Sequence, residues 1–224
     1  LKKKIIANQA MFKSKRINDL TLSTVFIFLI LFQYSCQTNN HSKRINVASS
    51  GKINSLDPAR ANTLKALQLI SSLGDTLYEL DNNGELIPKL ASKMPVISKD
   101  KLKISISLKK NILFHDGTPF DSKAMKFTIE RFQRIGTNNY ILDKKIKSIE
   151  TPNKNTLIIN LNKPASSLEG LLTSVNLTAI SPSFYKNHID KFLNNNFVGT
   201  GQYVLKSFSN EVQILDPNLN YWDL

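Results

Sequence analysis

The sequence predicts a mixed α and β fold (α/β mixed, of the α+β kind), and three patterns carry that prediction. Leu102, Ile104, Ile106 and Leu108 alternate strictly with Lys103, Ser105 and Ser107, the two-residue period of a half-buried strand. Met125, Ile129 and Phe132 recur at helical spacing behind Asp121 and Ser122, either of which can cap a helix. Residues 203–208 and 212–215 flank Ser209 and Asn210 in the manner of a β-hairpin. With 41% hydrophobic residues and 8 Gly and 8 Pro among 224, the composition is that of a globular protein, which excludes disorder over most of the chain.

In chain order, residues 45–48 are a short strand candidate, followed by the turn-rich residues 49–52 and by Leu56, Asp57 and Pro58. Leu64, Leu67, Ile70 and the apolar positions from Leu73 to Leu77 then keep helical spacing, so residues 62–80 read as an amphipathic helix. Asn83 and Gly84, between Leu80 and Leu86, signal a tight turn. Beyond the alternating strand, residues 112–114 make a shorter one closed by Asp116, Gly117 and Pro119. The capped helix directs Met125, Ile129 and Phe132 inward and Lys126, Glu130, Arg131 and Arg134 largely outward. Leu157, Ile159 and Leu161 alternate as another strand after a turn at residues 152–155. Leu168, Leu171, Leu172 and Val175 suggest one short helix, and Tyr185, Ile189 and Phe192, after Pro182, suggest a second. There is no internal repeat.

The N-terminus carries an address. Lys2, Lys3, Lys4, Lys13, Lys15 and Arg16 precede an apolar stretch over residues 20–32. A spanning helix needs about 20 predominantly apolar residues, so this run suits the core of a signal peptide over residues 1–35 better than a membrane span, with Met11 a candidate start. Cys36, the one cysteine, sits where a bacterial lipoprotein is cleaved and acylated, and residues 33–37 resemble a lipobox in part: Ser35 is small, whereas Gln33 replaces an aliphatic residue and Tyr34 is bulky. The alternative is an ordinary secretory signal, or an uncleaved anchor, with an incidental cysteine. The expectation is lipidation of Cys36, with residues 36–44 as a polar tether to the membrane.

Charge and chemistry narrow the function. The formal charge of +13 divides into +5 on residues 1–35 and +8 on the remainder, and the excess is made of 25 Lys against five Arg. Nucleic-acid surfaces draw on Arg for bidentate contacts and on aromatics for stacking. Lysines scattered singly among Asn, Ser and Ile read as a solvated surface, so no nucleic-acid partner is expected. One cysteine and the widely separated His41, His115 and His188 form no local metal motif, and neither metal nor cofactor is expected. No nucleophile elbow, phosphate loop or H-E-x-x-H helix occurs. Gly199 and Gly201 supply two glycines of a dinucleotide loop, yet Val204 takes the third place and a strand follows. His115 and Asp116 are adjacent in an extended segment and point apart, so a turn role suits them better than acid–base work. The chain does not read as an enzyme.

Five segments together resemble the extracellular solute-binding proteins of family 5, the peptide-type periplasmic binding proteins of ABC importers. They are Leu56, Asp57 and Pro58 with the following helix; Gly84 to Ala91, similar to G-E-L-x-P-x-L-A; Leu108 and Lys109 through Phe114 to Phe120, similar to the signature F-H-D-G-x-P-F, with the helix after it; Glu150 to Pro152 with Thr156 to Pro164, similar to a paired-strand unit; and Val198 to Tyr203 with Asn218 to Trp222, similar to G-T-G-P-Y and N-P-x-Y-W. Gln202 and Leu219 stand where the family has proline, and residues 121–125 lack its usual T-A-x-D-V. The resemblance implies a periplasmic binding protein type II-like fold with the first lobe (about 45–85 and 180–224) and the extra small domain (about 86–179), the second lobe being absent and the chain a truncated form or a fragment. It implies capture of a peptide or similar small solute between lobes, work with ABC transporter permease subunits, and an exported, periplasmic or cell-surface location. Leu56, Asp57 and Pro58, with Gly199, Thr200, Gly201, Gln202 and Tyr203, would lie toward the ligand cleft. The alternative is a non-transport exported lipoprotein, an interaction module on the same fold that has lost ligand capture.

Overall fold

The first helix, α1 (Leu64–Leu73), starts where a single side chain gathers three donors: Asn54 Oδ1 accepts from the Asn62 and Thr63 backbone N–H groups and from the Thr63 hydroxyl. These bonds fix the two residues that lead into the helix, the second of them its N-cap, Thr63. Ala66, Ile70 and Leu73 form its buried stripe. The structure is a computed structural model and describes residues 45–142, 144–164, 168–186 and 196–223. The helix predicted over residues 62–80 ends at Gly74; the chain then extends, and β1 (Tyr78–Leu80) pairs antiparallel with β2 (Leu86–Pro88) through the predicted turn, where Gly84 has φ +81°. Leu77 and Tyr78 are buried either way, so apolar spacing alone could not separate helix from strand there.

The four-stranded antiparallel sheet runs in the order β3 (Val96–Ile97), β4 (Lys103–Ser107), β6 (Thr156–Leu161), β5 (Ile146–Asn153). Its register sets Ile104 opposite Ile159 and Ile106 opposite Leu157, and these buried residues make one apolar face covered by α2 (Ser122–Ile135). The alternation predicted for β4 and β6 is therefore realised. Pro152, predicted in a turn, lies within β5; an edge strand tolerates a residue that lacks an N–H. At the start of α2, Asp121 accepts from the Ala124 N–H at 2.9 Å, as a capping residue does. Met125, Ile129 and Phe132 face inward as predicted, but Arg131, predicted outward, is 2% exposed.

Residues 112–114 form no strand; one bridge joins Leu113 to Pro119. The short helices α3 (Leu168–Leu171) and α4 (Pro182–Tyr185) and a 3₁₀ turn at Val175–Leu177 lead to the predicted hairpin of β7 (Tyr203–Phe208) and β8 (Gln213–Pro217). The main apolar core joins Leu77, Tyr78 and Leu90 to the sheet and α2, and a smaller one gathers Ala61, Ala66, Ile70, Leu73 and Phe197 beneath α1. All of this belongs to one unit, Ser49–Leu224. Of the other unit, Leu1–Ala48, residues 45–48 are described: they form no strand, and Ile45 and Val47 are exposed. The predicted signal peptide, Cys36 and the tether lie outside the described residues, as do Ile189 and Phe192.

Candidate functional site

Residues 199–201 lie against the end of α1. The Gly201 N–H donates to the Leu73 carbonyl at 3.1 Å, and a Cβ on Gly201 would overlap the backbone of Leu73 and Gly74. Neither Gly199 nor Gly201 has a positive φ, so close approach, not left-handed geometry, explains glycine here. Thr200 between them is buried and donates its hydroxyl to Asp75 Oδ2 at 2.8 Å. The same carboxylate accepts from Tyr221 Oη (3.1 Å, on Oδ1) and Trp222 Nε1 (3.0 Å, on Oδ2). Asp75 thus joins the end of α1, residues 199–201 and the tyrosine–tryptophan pair. Burial, followed by the charge of Asp75, raises the Tyr221 pKa above the usual phenol range.

His115 binds the same loop from the other side. Its backbone N–H donates to the Gly199 carbonyl at 2.9 Å and its Nε2 lies 3.1 Å from the Gly201 carbonyl, which also accepts from Asn218 Nδ2. Asp116 turns away, as the sequence predicts for adjacent residues. It accepts from Thr118, Ser181 and Ser183 hydroxyls, and although burial opposes this, those donors hold its carboxyl below the ordinary range. The pair is a junction between loops.

Leu56, Asp57 and Pro58 are buried in a different junction. Asp57 takes both terminal guanidinium nitrogens of Arg131, each at 2.6 Å, and also accepts from the Ala59 N–H. The Arg131 guanidinium stacks 5.2 Å from the ring centre of the buried Tyr185. Asn176 donates to the Pro58 and Ala61 carbonyls, fixing the loop from below α1. Among the described residues no hydrogen bond or ion pair links residues 56–58 to residues 199–203.

Gln202 and Tyr203 are the exposed members of the predicted set. Gln202 lines a cleft of about 390 Å³ together with Asp75, Glu79, Lys89, Tyr221 and Asp223. Lys89 stands between Glu79 (3.7 Å) and Asp223 (3.5 Å), and Lys109 lies 4.2 Å over the Trp222 ring. Among the described residues no group of three or more His, Cys, Asp or Glu side chains is arranged to hold a metal ion. Sequence reasoning missed Asp75 and Arg131. An acidic residue between Leu73 and Leu77, beside Gly74, was the available signal for Asp75; for Arg131 the sequence carried none, because its burial is set by packing against distant segments.

Residues 85–224 match the family described as bacterial extracellular solute-binding proteins, family 5, middle part. The chain is 29% identical over 170 residues to the glutathione-binding protein GsiB of Escherichia coli O1:K1, covering 75% of this chain and 33% of that protein. It is 31% identical over 129 residues to the probable D,D-dipeptide-binding periplasmic protein DdpA of Escherichia coli K12, covering 55% and 25%. In three dimensions it is similar to Listeria monocytogenes OppA bound to peptide, with a TM-score of 0.73 at 22% identity over 80% of this chain and 39% of that one. It is likewise similar to NikZ from Campylobacter jejuni in complex with Ni(L-His), with a TM-score of 0.68 at 26% identity over 77% and 35%. The fold is therefore mixed α and β and matches periplasmic binding protein type II folds, and the chain spans about a third of the length of the curated relatives it matches.

Proposed function

The chain belongs to the bacterial extracellular solute-binding proteins, family 5, and on that basis we propose that it is the substrate-binding component of an ABC importer for peptides or similar small solutes. The observation that carries the reading is the match over residues 85–224, which takes in both the Phe114 to Phe120 signature and the residues 199–201 loop locked to Asp75. The reading assigns residues 45–85 and 180–224 to a first lobe and 86–179 to a small inserted domain. The four-stranded sheet and α2 fall within the latter. Gln202 and Tyr203 are the accessible candidates for ligand contact; Gly199, Thr200 and Gly201, and Leu56, Asp57 and Pro58, act by fixing loop position.

Export is part of the proposal, with residues 1–35 as signal peptide and a lipid on Cys36 holding the protein at the membrane beside its permease partners. The role is capture without chemical change. Thermal unfolding and calorimetry of the whole chain against glutathione, a D,D-dipeptide, Met-Leu, nickel–histidine and a mixed peptide library test it. Binding to the native state raises stability by about 2.7 kcal/mol at a hundredfold excess over Kd. A stabilising ligand in that set is the expected result, and stabilisation by none of them favours an interaction module on the same fold. Intact-mass analysis of membrane-extracted protein checks the anchor: a mature N-terminus other than acylated Cys36 removes it.

A further inference from the structure

We propose that His115, in its neutral form, is the positioning residue that holds residues 199–203 in their ligand-facing arrangement, and that mild acid releases them. The inference rests on the reading that Gln202 and Tyr203 face the ligand. The Gly201 carbonyl can only accept, so the Nε2 at 3.1 Å carries the ring proton and Nδ1 is left bare. Nδ1 is buried and has no hydrogen-bond partner. A second proton would therefore place a charge inside the junction, near the Phe197 carbonyl but out of reach of water. The charged groups near enough to act on the ring are Asp75 and Asp116, and each already serves hydroxyl or indole donors of its own. Burial accordingly outweighs these carboxylates and the Gly201 and Phe197 carbonyls, and holds the ring below the ordinary histidine range.

Release has a defined path. For Nδ1–H to reach water the ring must leave its slot, which frees the Gly201 carbonyl. That carbonyl also receives Asn218 Nδ2, and Asn218 leads into Tyr221 and Trp222. Trp222 is the single tryptophan of the chain, so its fluorescence reports the junction directly.

The experiment is a fluorescence titration of the whole chain from pH 8 to 5, with His115→Gln beside it, since glutamine keeps an N–H donor for Gly201 but does not titrate. The expected result is a one-proton transition below pH 6.5 in the parent chain and a flat trace in His115→Gln. The same transition in His115→Gln overturns the proposal. Should that variant fail to fold, the imidazole C–H resonances of the parent chain decide: a His115 midpoint at or above 6.5 overturns it as well. Calorimetry with the tripeptide Ala-Ala-Ala on both proteins forms the second arm. Affinity in the parent is expected to fall through the same window, by no more than about tenfold per pH unit, the limit for one linked proton. Affinity that stays level while fluorescence changes overturns the ligand-facing role of residues 199–203 and leaves the binding-protein reading intact. Absence of tripeptide binding at every pH counts against the binding reading, and the fluorescence arm still decides on His115.

Discussion

Arg131 and Asp57 show how far a single side chain can depart from what its neighbours in sequence suggest. The guanidinium is enclosed with its partner carboxylate 74 positions away, stacked on Tyr185, with Nε lacking a partner. A buried pair of this kind is strongly destabilised when one member is removed, because the other charge is left uncompensated. Arg131→Ala is expected to cost about 3–5 kcal/mol in denaturant unfolding, whereas pairing Arg131→Met with Asp57→Leu recovers most of the loss. Gly201→Ala makes a sharper test of close approach: the added methyl meets the Leu73 and Gly74 backbone, and overpacking of this kind costs about 1–3 kcal/mol. A loss below half a kcal/mol in equilibrium unfolding would mean that α1 yields there. Asp57 and Gly201 stood out in the sequence through the resemblance of their segments to family 5 motifs. The sequence could not show their partners, since burial of Arg131 and the closeness of Leu73 are set by long-range packing.

Among the elements, those with a clean period were legible and those defined by their surroundings were not. β4, β6 and α2 each bury the stripe that their alternation or helical spacing announces, and Asp121 caps α2 as its position implies. Asp121→Ala is expected to lower stability by about 1 kcal/mol, the usual cost of losing an N-cap, with cooperative unfolding preserved in a circular-dichroism melt. The helix predicted from this segment runs too far because Leu73 and Leu77 keep an i, i+4 apolar spacing across Gly74, Asp75 and Thr76, where the chain changes from helix to extended backbone. The stop depends on Gly74, whose missing side chain leaves room for Thr178 and Phe197. β3 has two residues, both exposed, and no sequence pattern could announce it. Residues 112–114 read as a strand on hydrophobicity, yet their amides and carbonyls are used in the tight loop that returns at Pro119 and Phe120.

For the molecule as a whole, the loop junctions set the pH range over which the fold is stable. His115 is depressed and Asp116 is lowered in the folded state. Both therefore contribute stability above their unfolded values, and it is lost in two stages as acid is added, first below about pH 6.5 and again below about pH 3.9. Tyr221 acts in the opposite sense: its raised value means that the unfolded chain ionises first, so stability declines as pH rises above about 10. Thermal midpoints measured across pH should trace a dome, and Tyr221→Phe should make its alkaline side less steep, the remaining decline coming from Tyr78 and Tyr185, which burial raises as well. Asp75 has one more consequence, for the order of events in folding. Its three side-chain partners lie 125, 146 and 147 residues further along the chain. Contacts of such separation form slowly, because the intervening chain must first be brought to order. Helices and hairpins can form beforehand, leaving this carboxylate waiting for its donors, so the tryptophan signal should recover in the last refolding phase, after far-ultraviolet ellipticity has returned.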